Sequence, residues 1–256
     1  MTHSPKLTFL GHATLLFELA GVRLLTDPIL RGRVTFLQHG HPPAQPTFDQ
    51  PVDVVLLSHL HFDHLDLPSL HQLGLNIHLI VSKGAGHWLQ KQGFTQVEEI
   101  AIGQTTTVKG VTIRATYARH FRQRYPMGPT ADCLGFIIES DYRIYFAGDT
   151  DLFPEMVNLA SELDVALLPV WGWGPFLGKG HMDPRRAAQT LPLLRPRLAI
   201  PIHWGSLHPW GVSRLKPRYL VDPPHDFVQY AAQLAPDVRT VIVPPGQTLH
   251  LAHALA

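Results

Sequence analysis

The segment SHLHFDHLD, residues 58–66, directly follows the apolar run VDVVLL. A short apolar run rich in valine and leucine is typical of a buried strand. Binding side chains are commonly carried by the loops that follow such strands, and imidazole and carboxylate are ligand types that suit zinc, iron and manganese. Residues 59–64 of the segment supply three imidazoles and one carboxylate: His59, His61, Asp63 and His64. The segment therefore predicts a metal-binding loop at a strand end.

Three further candidate ligands follow predicted strands later in the chain. His120 comes after VTIRAT, Asp149 ends YRIYFAGD, and His203 ends RLAIPIH. One histidine after a strand is usually structural, and a Gly-Asp pair at a strand end is usually a turn. Together with the loop at 58–66, however, these residues give seven potential ligands at four strand ends. We therefore expect the strand ends to meet at one metal site.

The composition is typical of a soluble globular protein. The chain has 256 residues, of which 45% are hydrophobic and 16% charged, with a formal net charge of +1. Such a chain can bury a substantial core, as one large domain or as two small ones. Because binding to a phosphate backbone requires clustered Lys and Arg, the near-zero net charge argues against nucleic acid as a partner.

No secretion or membrane signal is predicted. The first thirty residues lack a basic start followed by an uninterrupted apolar stretch, and no apolar run reaches the roughly 18 residues that a membrane-spanning helix requires. The single cysteine, Cys133, excludes an intramolecular disulfide and suits a reducing compartment. We therefore expect a cytoplasmic protein in which Cys133 is an inert strand residue. The oligomeric state is left open, with a homo-oligomer among the options.

Apolar runs and turn signals predict two groups of strands, with helices between the strands. The predicted helices cover residues 84–92, 153–163, 183–194 and 225–234. The third of them has Asp183 in the N-cap position and Pro184 at the first helical position, as helix starts prefer. The Pro-rich segment 39–51 is predicted to be a surface loop. This pattern favours two sheets packed face to face with the helices outside.

The segment HLHFDH has the pattern H-x-H-x-D-H and in this respect resembles the metallo-β-lactamase superfamily. His120, Asp149 and His203 also fall in the order of that family, and the match covers essentially the whole chain. The resemblance implies an α/β fold, namely a four-layer αβ/βα sandwich of two mixed β-sheets with outer helices. It places the site at the edge of the two sheets and implies a single domain over residues 1–256.

The resemblance also implies a set of metal ligands. The implied ligands of one ion are His59, His61 and His120. The implied ligands of a second ion are Asp63, His64 and His203, with Asp149 bridging the two ions. The implied cofactors are two divalent metal ions, with Zn²⁺ favoured and Mn²⁺ or Fe²⁺ as alternatives. Asp63 and Asp149 are therefore also candidate catalytic residues.

Longer segments resemble one branch of the superfamily. The group that contains the N-acyl-phosphatidylethanolamine phospholipase D and the L-ascorbate-6-phosphate lactonase is similar in the segments GHATLLFELAGVRLLTDP, GDTDLFPEM, KGHMDPRRA and PIHWG. Two divalent ions about 3.5 to 4 Å apart can share a water and bring its pKa down towards neutrality. We therefore expect a dinuclear metal-dependent hydrolase whose bridging hydroxide attacks a phosphodiester, lactone or other ester of a small or lipid-like substrate.

Three polar residues outside the ligand set are expected to support or line the site. His181 resembles a histidine that faces the substrate in the related group, where it would stabilise an oxyanion or protonate the leaving group. The alternative for His181 is a helix-capping or structural role. Asp27 is expected to accept a hydrogen bond from a ligand imidazole, against a simple turn role before Pro28. His12 is a weaker candidate for lining the site.

Two further groups of side chains are candidates for binding substrate. The glycine-rich loop VWGWGPFLGKG is predicted to form a substrate wall or lid, with core packing as the alternative for its three aromatic rings, Trp171, Trp173 and Phe176. Four cationic side chains are candidates for holding a phosphate, with simple solvation as the alternative: Arg119, Arg122, Arg124 and Lys179.

Other activities of the same superfamily are kept as alternatives. An RNA-processing nuclease would need basic or glycine-rich insertions to grip RNA, and the sequence has no such insertion. An oxygen-reducing flavoprotein usually replaces the second motif histidine by glutamate and adds a flavin domain, and neither change is present. An iron-dependent sulfur dioxygenase is harder to exclude. The intact set of seven ligands argues against a non-catalytic binding module.

Overall fold

Two large β-sheets form the framework of the protein. The computed structural model describes residues 4–40, 50–124, 128–159, 162–212 and 217–256. The strands are β1 (Lys6–Gly11), β2 (Thr14–Leu19), β3 (Val22–Thr26), β4 (Arg33–Val34), β5 (Leu37–His39), β6 (Val54–Leu56), β7 (His78–Ser82), β8 (Val97–Ile100), β9 (Thr105–Val108), β10 (Val111–Tyr117), β11 (Leu134–Glu139), β12 (Arg143–Phe146), β13 (Val165–Pro169), β14 (Leu198–Ile202), β15 (Leu207–Pro209), β16 (Arg239–Thr240) and β17 (Thr248–His250). The helices are α1 (Leu67–Leu73), α2 (Gly86–Lys91), α3 (Pro184–Gln189), α4 (Leu191–Leu194), α5 (Asp222–Leu234) and α6 (Leu251–Leu255), with 3-10 helices over Pro154–Asn158 and Arg218–Leu220.

Each large sheet combines antiparallel and parallel strands. The first has the strand order β17-β1-β2-β3-β6-β7-β8, and the second has the order β16-β14-β13-β12-β11-β10-β9. In the first sheet β1, β2 and β3 form an antiparallel meander, whereas β3, β6, β7 and β8 are parallel. In the second sheet β9 to β12 are antiparallel, and β12, β13, β14 and β16 are parallel. Because parallel strands end at the same edge of a sheet, the loops that follow them meet there.

Apolar side chains of both sheets pack against each other in a central core. Phe17 of the first sheet and Phe136 of the second belong to this one buried cluster. A second cluster covers the outer face of the first sheet under α1 and α2, and a third covers the outer face of the second sheet under α3, α4 and α5. The layers are therefore αβ/βα, which confirms the predicted fold class. That a single domain spans residues 1–256 stays a prediction.

The structure corrects two predicted elements. The described part of the predicted helix 153–163 forms the 3-10 helix Pro154–Asn158 instead, and the N–H of Leu159 bonds to the carbonyl of Met156. Such bonding over three residues gives a short, tight turn. Cys133 is buried, but it precedes β11 and does not lie in a strand. Most of the Pro-rich segment 39–51 lies outside the described residues.

Helix α1 was not predicted, and it lies directly behind the loop that carries the candidate ligands. It begins after Asp66, whose carboxylate accepts a hydrogen bond from the backbone N–H of Ser69. Arg31 pairs with the same carboxylate at 2.6 Å. A small sheet of order β15-β5-β4 was also not predicted, since its strands have only two or three residues. In the part of the chain that is described, no helix is long and apolar enough to cross a bilayer.

Candidate metal centre

The strand ends of both sheets meet at one edge, as the sequence predicts. The loop after β6 carries the first four candidate ligands, and the loop after β10 carries His120. Asp149 follows β12, and His203 directly follows β14. Every one of the seven candidates has a nitrogen or carboxylate oxygen within 4.0 Å of such an atom of another candidate. The structure thus brings all seven together.

Asp149 lies at the centre of this cluster. Its Oδ2 atom is 3.2 Å from Nε2 of His64, 3.8 Å from Nε2 of His120 and 4.0 Å from Nε2 of His59. Its Oδ1 atom is 3.0 Å from Nε2 of His203. The carboxylate therefore contacts imidazoles of both implied triads.

Two compact sets of donor atoms adjoin Asp149. The donor atoms of the first set lie within 4.8 Å of one another and belong to His59, His61 and His120. Those of the second set meet the same limit and belong to His12, Asp63, His64 and His203. These are the two implied triads, with His12 added to the second. Nε2 of His12 lies 3.1 Å from Oδ2 of Asp63.

Backbone carbonyls orient two of the imidazoles. Nδ1 of His120 donates to the carbonyl of Gly180 at 2.8 Å, and Nδ1 of His203 donates to the carbonyl of Trp171 at 2.9 Å. Both acceptors lie in the loop between β13 and α3. Since Nδ1 of each ring carries the proton of the neutral form, Nε2 presents its lone pair to the cluster.

Asp27 orients two further imidazoles. Its Oδ2 atom accepts a hydrogen bond from Nδ1 of His64 at 2.7 Å, which is the type of contact that the sequence predicts. The hydroxyl of Ser58 donates to the same oxygen at 2.5 Å and accepts from Nδ1 of His59 at 2.9 Å. The backbone N–H of Ser58 donates to Oδ1 at 2.7 Å. One buried carboxylate thus holds two candidate ligands, one directly and one through Ser58.

Three residues of the cluster have a left-handed backbone. The φ angle is 54° at His12, 35° at Asp27 and 62° at His203. Residues other than glycine rarely adopt this backbone conformation, and it costs free energy where they do. The backbone N–H of His203 donates to the carbonyl of His12 at 2.8 Å, which ties two of the three together. Three of the eight non-glycine residues that have a positive φ in the described ranges thus lie where the polar side chains converge, and backbone strain of this kind occurs at functional sites.

Burial and neighbouring charges set the protonation states of the cluster. Burial lowers the pKa of His120 to about 4 and holds the pKa values of His59 and His203 well below the usual range. Burial opposes the charge of Asp149, but the adjacent imidazoles outweigh it and keep the pKa of this carboxyl well below its ordinary value. Neutral imidazole and ionised carboxylate are the forms that bind divalent cations.

The donor atoms face one another as they would around a cation. Nε2 of His64 lies 3.0 Å from Nε2 of His203, and Nδ1 of His61 lies 3.0 Å from Nε2 of His120. The other ring nitrogens of these residues have acceptors outside the cluster, so lone pairs meet here unless a proton or cation lies between them. Nε2 of His59 is buried and makes no hydrogen bond with any described residue. These side chains therefore fit divalent metal ions.

The buried carboxylates also require positive charge. Among the described residues, the ion-pair partners of Asp63 and Asp149 are all histidines. Burial disfavours the charged form of His64, yet the charges of Asp149 and Asp63 outweigh it and raise the pKa of His64 well above its ordinary value. A bound divalent cation would replace this proton as the counter-charge.

A cleft of about 490 Å³ opens beside the cluster. Its lining includes three aromatic rings, those of Phe62, Phe121 and Trp173. His181 lines the same cleft, and its Nε2 atom lies 3.3 Å from Oδ2 of Asp149. The side chain of His181 is 21% exposed, in contrast to 1% for Asp149. His181 therefore contacts both the cluster and the space in which a substrate would lie.

The aromatic residues of the predicted wall loop have separate environments. Trp173 lines the cleft, and its ring centroid lies 5.2 Å from that of Phe36. Nε1 of Trp171 donates to the carbonyl of Gly174 at 2.9 Å. Phe176 is 90% exposed and is not part of the cleft lining. Only Trp173 of the three therefore forms a wall of the cleft.

The four predicted phosphate-binding cations do not act as one group. Arg122 pairs with Asp132 at 2.6 Å. Arg124 donates to a backbone carbonyl of the ligand loop at 3.1 Å. Arg119 and Lys179 line a second cleft that also contacts the cluster. The structure thus leaves two of the four as candidates.

The sequence analysis did not identify Ser58 and gave His12 only a minor role. The signal for Ser58 is its position between the buried strand and His59, at the strand end where the ligand-bearing loop begins. The signal for His12 is its position after Gly11, between the apolar runs LTFL and TLLFEL, where the chain must turn from one strand to the next.

Comparisons with known proteins agree with this site. A family model described as "Beta-lactamase superfamily domain" matches residues 22–204. A metal-dependent hydrolase of Opitutus terrae is 34% identical over 259 residues, which cover 96% of this chain and 100% of that protein. An N-acyl-phosphatidylethanolamine-hydrolyzing phospholipase D of Caenorhabditis elegans is 31% identical over 239 residues, which cover 82% of this chain and 67% of that protein.

A solved structure shows the same fold. The metallo hydrolase of the hyperthermophilic archaeon Ignicoccus hospitalis superposes with a TM-score of 0.73 at 26% identity, covering 96% of this chain and 97% of that chain. The likeness therefore extends over both sheets and the edge at which the cluster lies. By sequence, fold and donor set, the chain belongs to the metallo-β-lactamase superfamily and is a metal-dependent hydrolase.

Proposed function

We propose that this protein hydrolyses an ester bond of a small or lipid-like substrate, with two divalent metal ions as cofactors. Phosphodiesters, lactones and other esters are included. One observation carries the proposal: the carboxylate of Asp149 lies within 4.0 Å of imidazole nitrogens of both candidate triads. A carboxylate in this position suits a site for two ions. The similarity to an enzyme that hydrolyses a phospholipid supports the inclusion of lipid-like substrates.

Each triad would hold one ion. The proposed ligands are His59, His61 and His120 for one ion, Asp63, His64 and His203 for the other, and Asp149 for both. When bound to these residues, two divalent ions would supply a water of lowered pKa and positive charge beside the ester oxygen. The donor set of imidazoles and carboxylates favours Zn²⁺, with Mn²⁺ and Fe²⁺ as alternatives.

His181 is the proposed proton donor to the leaving group. Its Nε2 atom lies beside the carboxylate of Asp149, and its Nδ1 atom lies 3.2 Å from the carbonyl of Gly178. The carbonyl contact holds the ring with Nε2 directed at the centre. A histidine so placed can transfer a proton to the oxygen that departs, which typically contributes about 10² to 10⁴ in rate.

The aromatic rings of the cleft would bind the apolar part of the substrate. Phe62 and Trp173 have ring centroids 6.5 Å apart, and Phe36 contacts both. An apolar group lying against Phe62 and Trp173, which line the cleft, would leave water, which favours binding. The same rings would keep bulk water from the ester bond.

A hydrolysis panel with metal-loaded protein tests the proposal. Zinc-, manganese- and iron-loaded samples are assayed against bis(4-nitrophenyl) phosphate, a lactone, a thioester and 4-nitrophenyl esters, and the metal content of each sample is measured. We expect turnover of at least one class, and loss of that turnover in Asp149→Ala. Oxygen consumption by the iron-loaded sample without hydrolysis would instead support a sulfur dioxygenase, and cleavage of RNA would support a nuclease.

A further inference from the structure

A second cleft, of about 500 Å³, adjoins the candidate metal centre. Its lining includes His120 and His181, which also belong to the centre. Phe121 and His181 line both this cleft and the cleft that contains Phe62 and Trp173, which is called the aromatic cleft below. A molecule that extends from one cleft into the other therefore passes the metal centre.

The second cleft is basic. Its lining includes Arg119, Lys179 and Arg186, together with one carboxylate, that of Asp151. This carboxylate is already engaged, because its Oδ1 atom accepts from Nε of Arg186 at 2.7 Å. Arg119 and Lys179 are exposed, and within the described ranges their side chains make no hydrogen bond or ion pair. Two cationic groups are therefore available to an anion.

Backbone contacts hold both cations next to the centre. The N–H of Arg119 donates to Oγ1 of Thr150 at 2.8 Å, and Arg119 directly precedes His120. Lys179 directly precedes Gly180, whose carbonyl accepts from Nδ1 of His120 at 2.8 Å. Arg119 and Lys179 are thus each next in the chain to a residue of the His120–Gly180 contact, which places both main-chain positions beside the metal centre.

We propose that Arg119 and Lys179 form an anion-binding subsite that holds an oxyanion group of the substrate, such as a carboxylate or a phosphate. The inference rests on the proposed function, because it takes the ester bond to lie at the metal centre. The substrate would place an apolar group in the aromatic cleft and an anionic group in the basic cleft. A guanidinium matches the geometry of oxyanions with paired hydrogen bonds, and an ammonium adds a point charge.

Titration calorimetry of the metal-loaded protein with inorganic phosphate measures the subsite directly. Arg119→Met and Lys179→Met each remove a charge and keep an unbranched side chain. We expect the Kd for phosphate to rise about tenfold in each variant and further in the double variant. Arg185→Met and Lys83→Met are matched controls, since both side chains are exposed and lie outside the cleft lining. They should change Kd by less than about twofold.

Phosphate also binds metal ions, so the comparison of variants decides the result. An unchanged Kd in the double variant would place phosphate on the metal ions alone and overturn the subsite. No measurable binding by the unmodified protein would overturn it as well. Equal weakening in the control variants would indicate a general charge effect, with the same consequence.

Two substrates can test the proposed anion subsite independently of the proposed ester hydrolysis. 4-Nitrophenyl hexanoate and the mono-4-nitrophenyl ester of adipic acid differ by a terminal carboxylate. In the double variant we expect KM for the adipate ester to rise about tenfold, while kcat and the KM for the hexanoate change by less than about twofold. If both esters are hydrolysed with unchanged KM, the subsite is wrong and the hydrolase function stands. If neither is hydrolysed but the double variant loses phosphate affinity, the subsite stands and ester hydrolysis is wrong.

Discussion

Oδ2 of Asp27 lies 2.7 Å from Nδ1 of His64, and both side chains are completely buried. The same carboxylate reaches His59 through the hydroxyl of Ser58. Imidazoles of both candidate triads therefore depend on one residue that is not itself in the proposed ligand set. A carboxylate in this position fixes the tautomer of a ligand imidazole and raises its basicity.

Asp27→Asn is expected to weaken metal binding about 10- to 100-fold. The amide has nearly the same shape, but it lacks the charge and has one acceptor oxygen fewer. Competition with a chromogenic chelator measures the affinity. Ser58→Ala breaks only the link to His59 and should have a smaller effect, and Asp132→Asn, in the exposed pair with Arg122, should have none. Wild-type affinity in Asp27→Asn would contradict the positioning role.

Asp149→Ala removes the carboxylate that contacts both triads. We expect it to lower the number of bound metal ions per chain and to reduce hydrolysis at least about 100-fold, since a proposed shared ligand is lost. His59→Ala alters one triad only and should affect one ion more than the other. Equilibrium dialysis with metal analysis gives the stoichiometry, and circular dichroism reports whether the fold is kept. Full stoichiometry in both variants would show that the ligand assignment is wrong.

Local signals in the sequence predict much of the framework. The strand-end motif at 58–66 and the later His203 predict the edge at which the site lies, because each is encoded next to its own strand. The N-cap role of Asp183 is confirmed in the same way, since its carboxylate accepts from the N–H of Arg186 at 2.7 Å. The helix predicted over 153–163 is wrong over its described part, where the buried Met156 lies in a 3-10 helix. Packing against the outer core outweighs helical propensity there.

Contacts between distant segments could not be predicted. His12 and Asp63 are 51 residues apart, and their contact depends on how the first meander packs against the ligand loop. Likewise, Arg119 and Arg124 look equivalent as loop cations in the sequence. Their roles differ because the guanidinium of Arg124 is held by a carbonyl of the ligand loop, whereas that of Arg119 lines a cleft. Such differences arise only from the tertiary arrangement.

His181→Gln is expected to lower kcat about 10²- to 10⁴-fold for alkyl esters, whose leaving groups need a proton. The effect should be much smaller for 4-nitrophenyl esters, because nitrophenolate departs without one. The metal content should be unchanged, since His181 is outside the proposed ligand set. Steady-state kinetics with ethyl and 4-nitrophenyl esters of the same acid make the comparison. Equal losses for both would argue against proton transfer by His181.

Cys133 should be unreactive in the folded protein. Burial raises the pKa of its thiol to about 12, and the residue is 3% exposed. Because the thiolate is the reactive form, alkylation by iodoacetamide at about pH 8 should require unfolding. Mass spectrometry with and without denaturant measures this, and rapid modification of the native protein would contradict it.

The raised pKa of Cys133 also has a consequence for stability. The folded state holds the thiol proton more tightly than the unfolded chain does. Its contribution to the free energy of unfolding is therefore complete below the ordinary pKa of a thiol and is lost as the pH rises towards about 12. Cys133→Ala should remove this part of the alkaline loss of stability, as measured by urea unfolding at several alkaline pH values.

Trp173 and Phe176 lie on the same loop but should contribute differently to substrate binding. Trp173 lines the aromatic cleft, whereas Phe176 is 90% exposed and lies outside the lining. If the apolar part of the substrate binds against the wall formed by Trp173, Trp173→Ala should raise KM for 4-nitrophenyl hexanoate about tenfold with little change in kcat. The reason is that an aromatic side chain offers a large apolar contact area. Phe176→Ala should leave both constants unchanged. An equal rise in KM for both variants would mean that the loop acts as a whole, as a lid, and would contradict a role specific to Trp173.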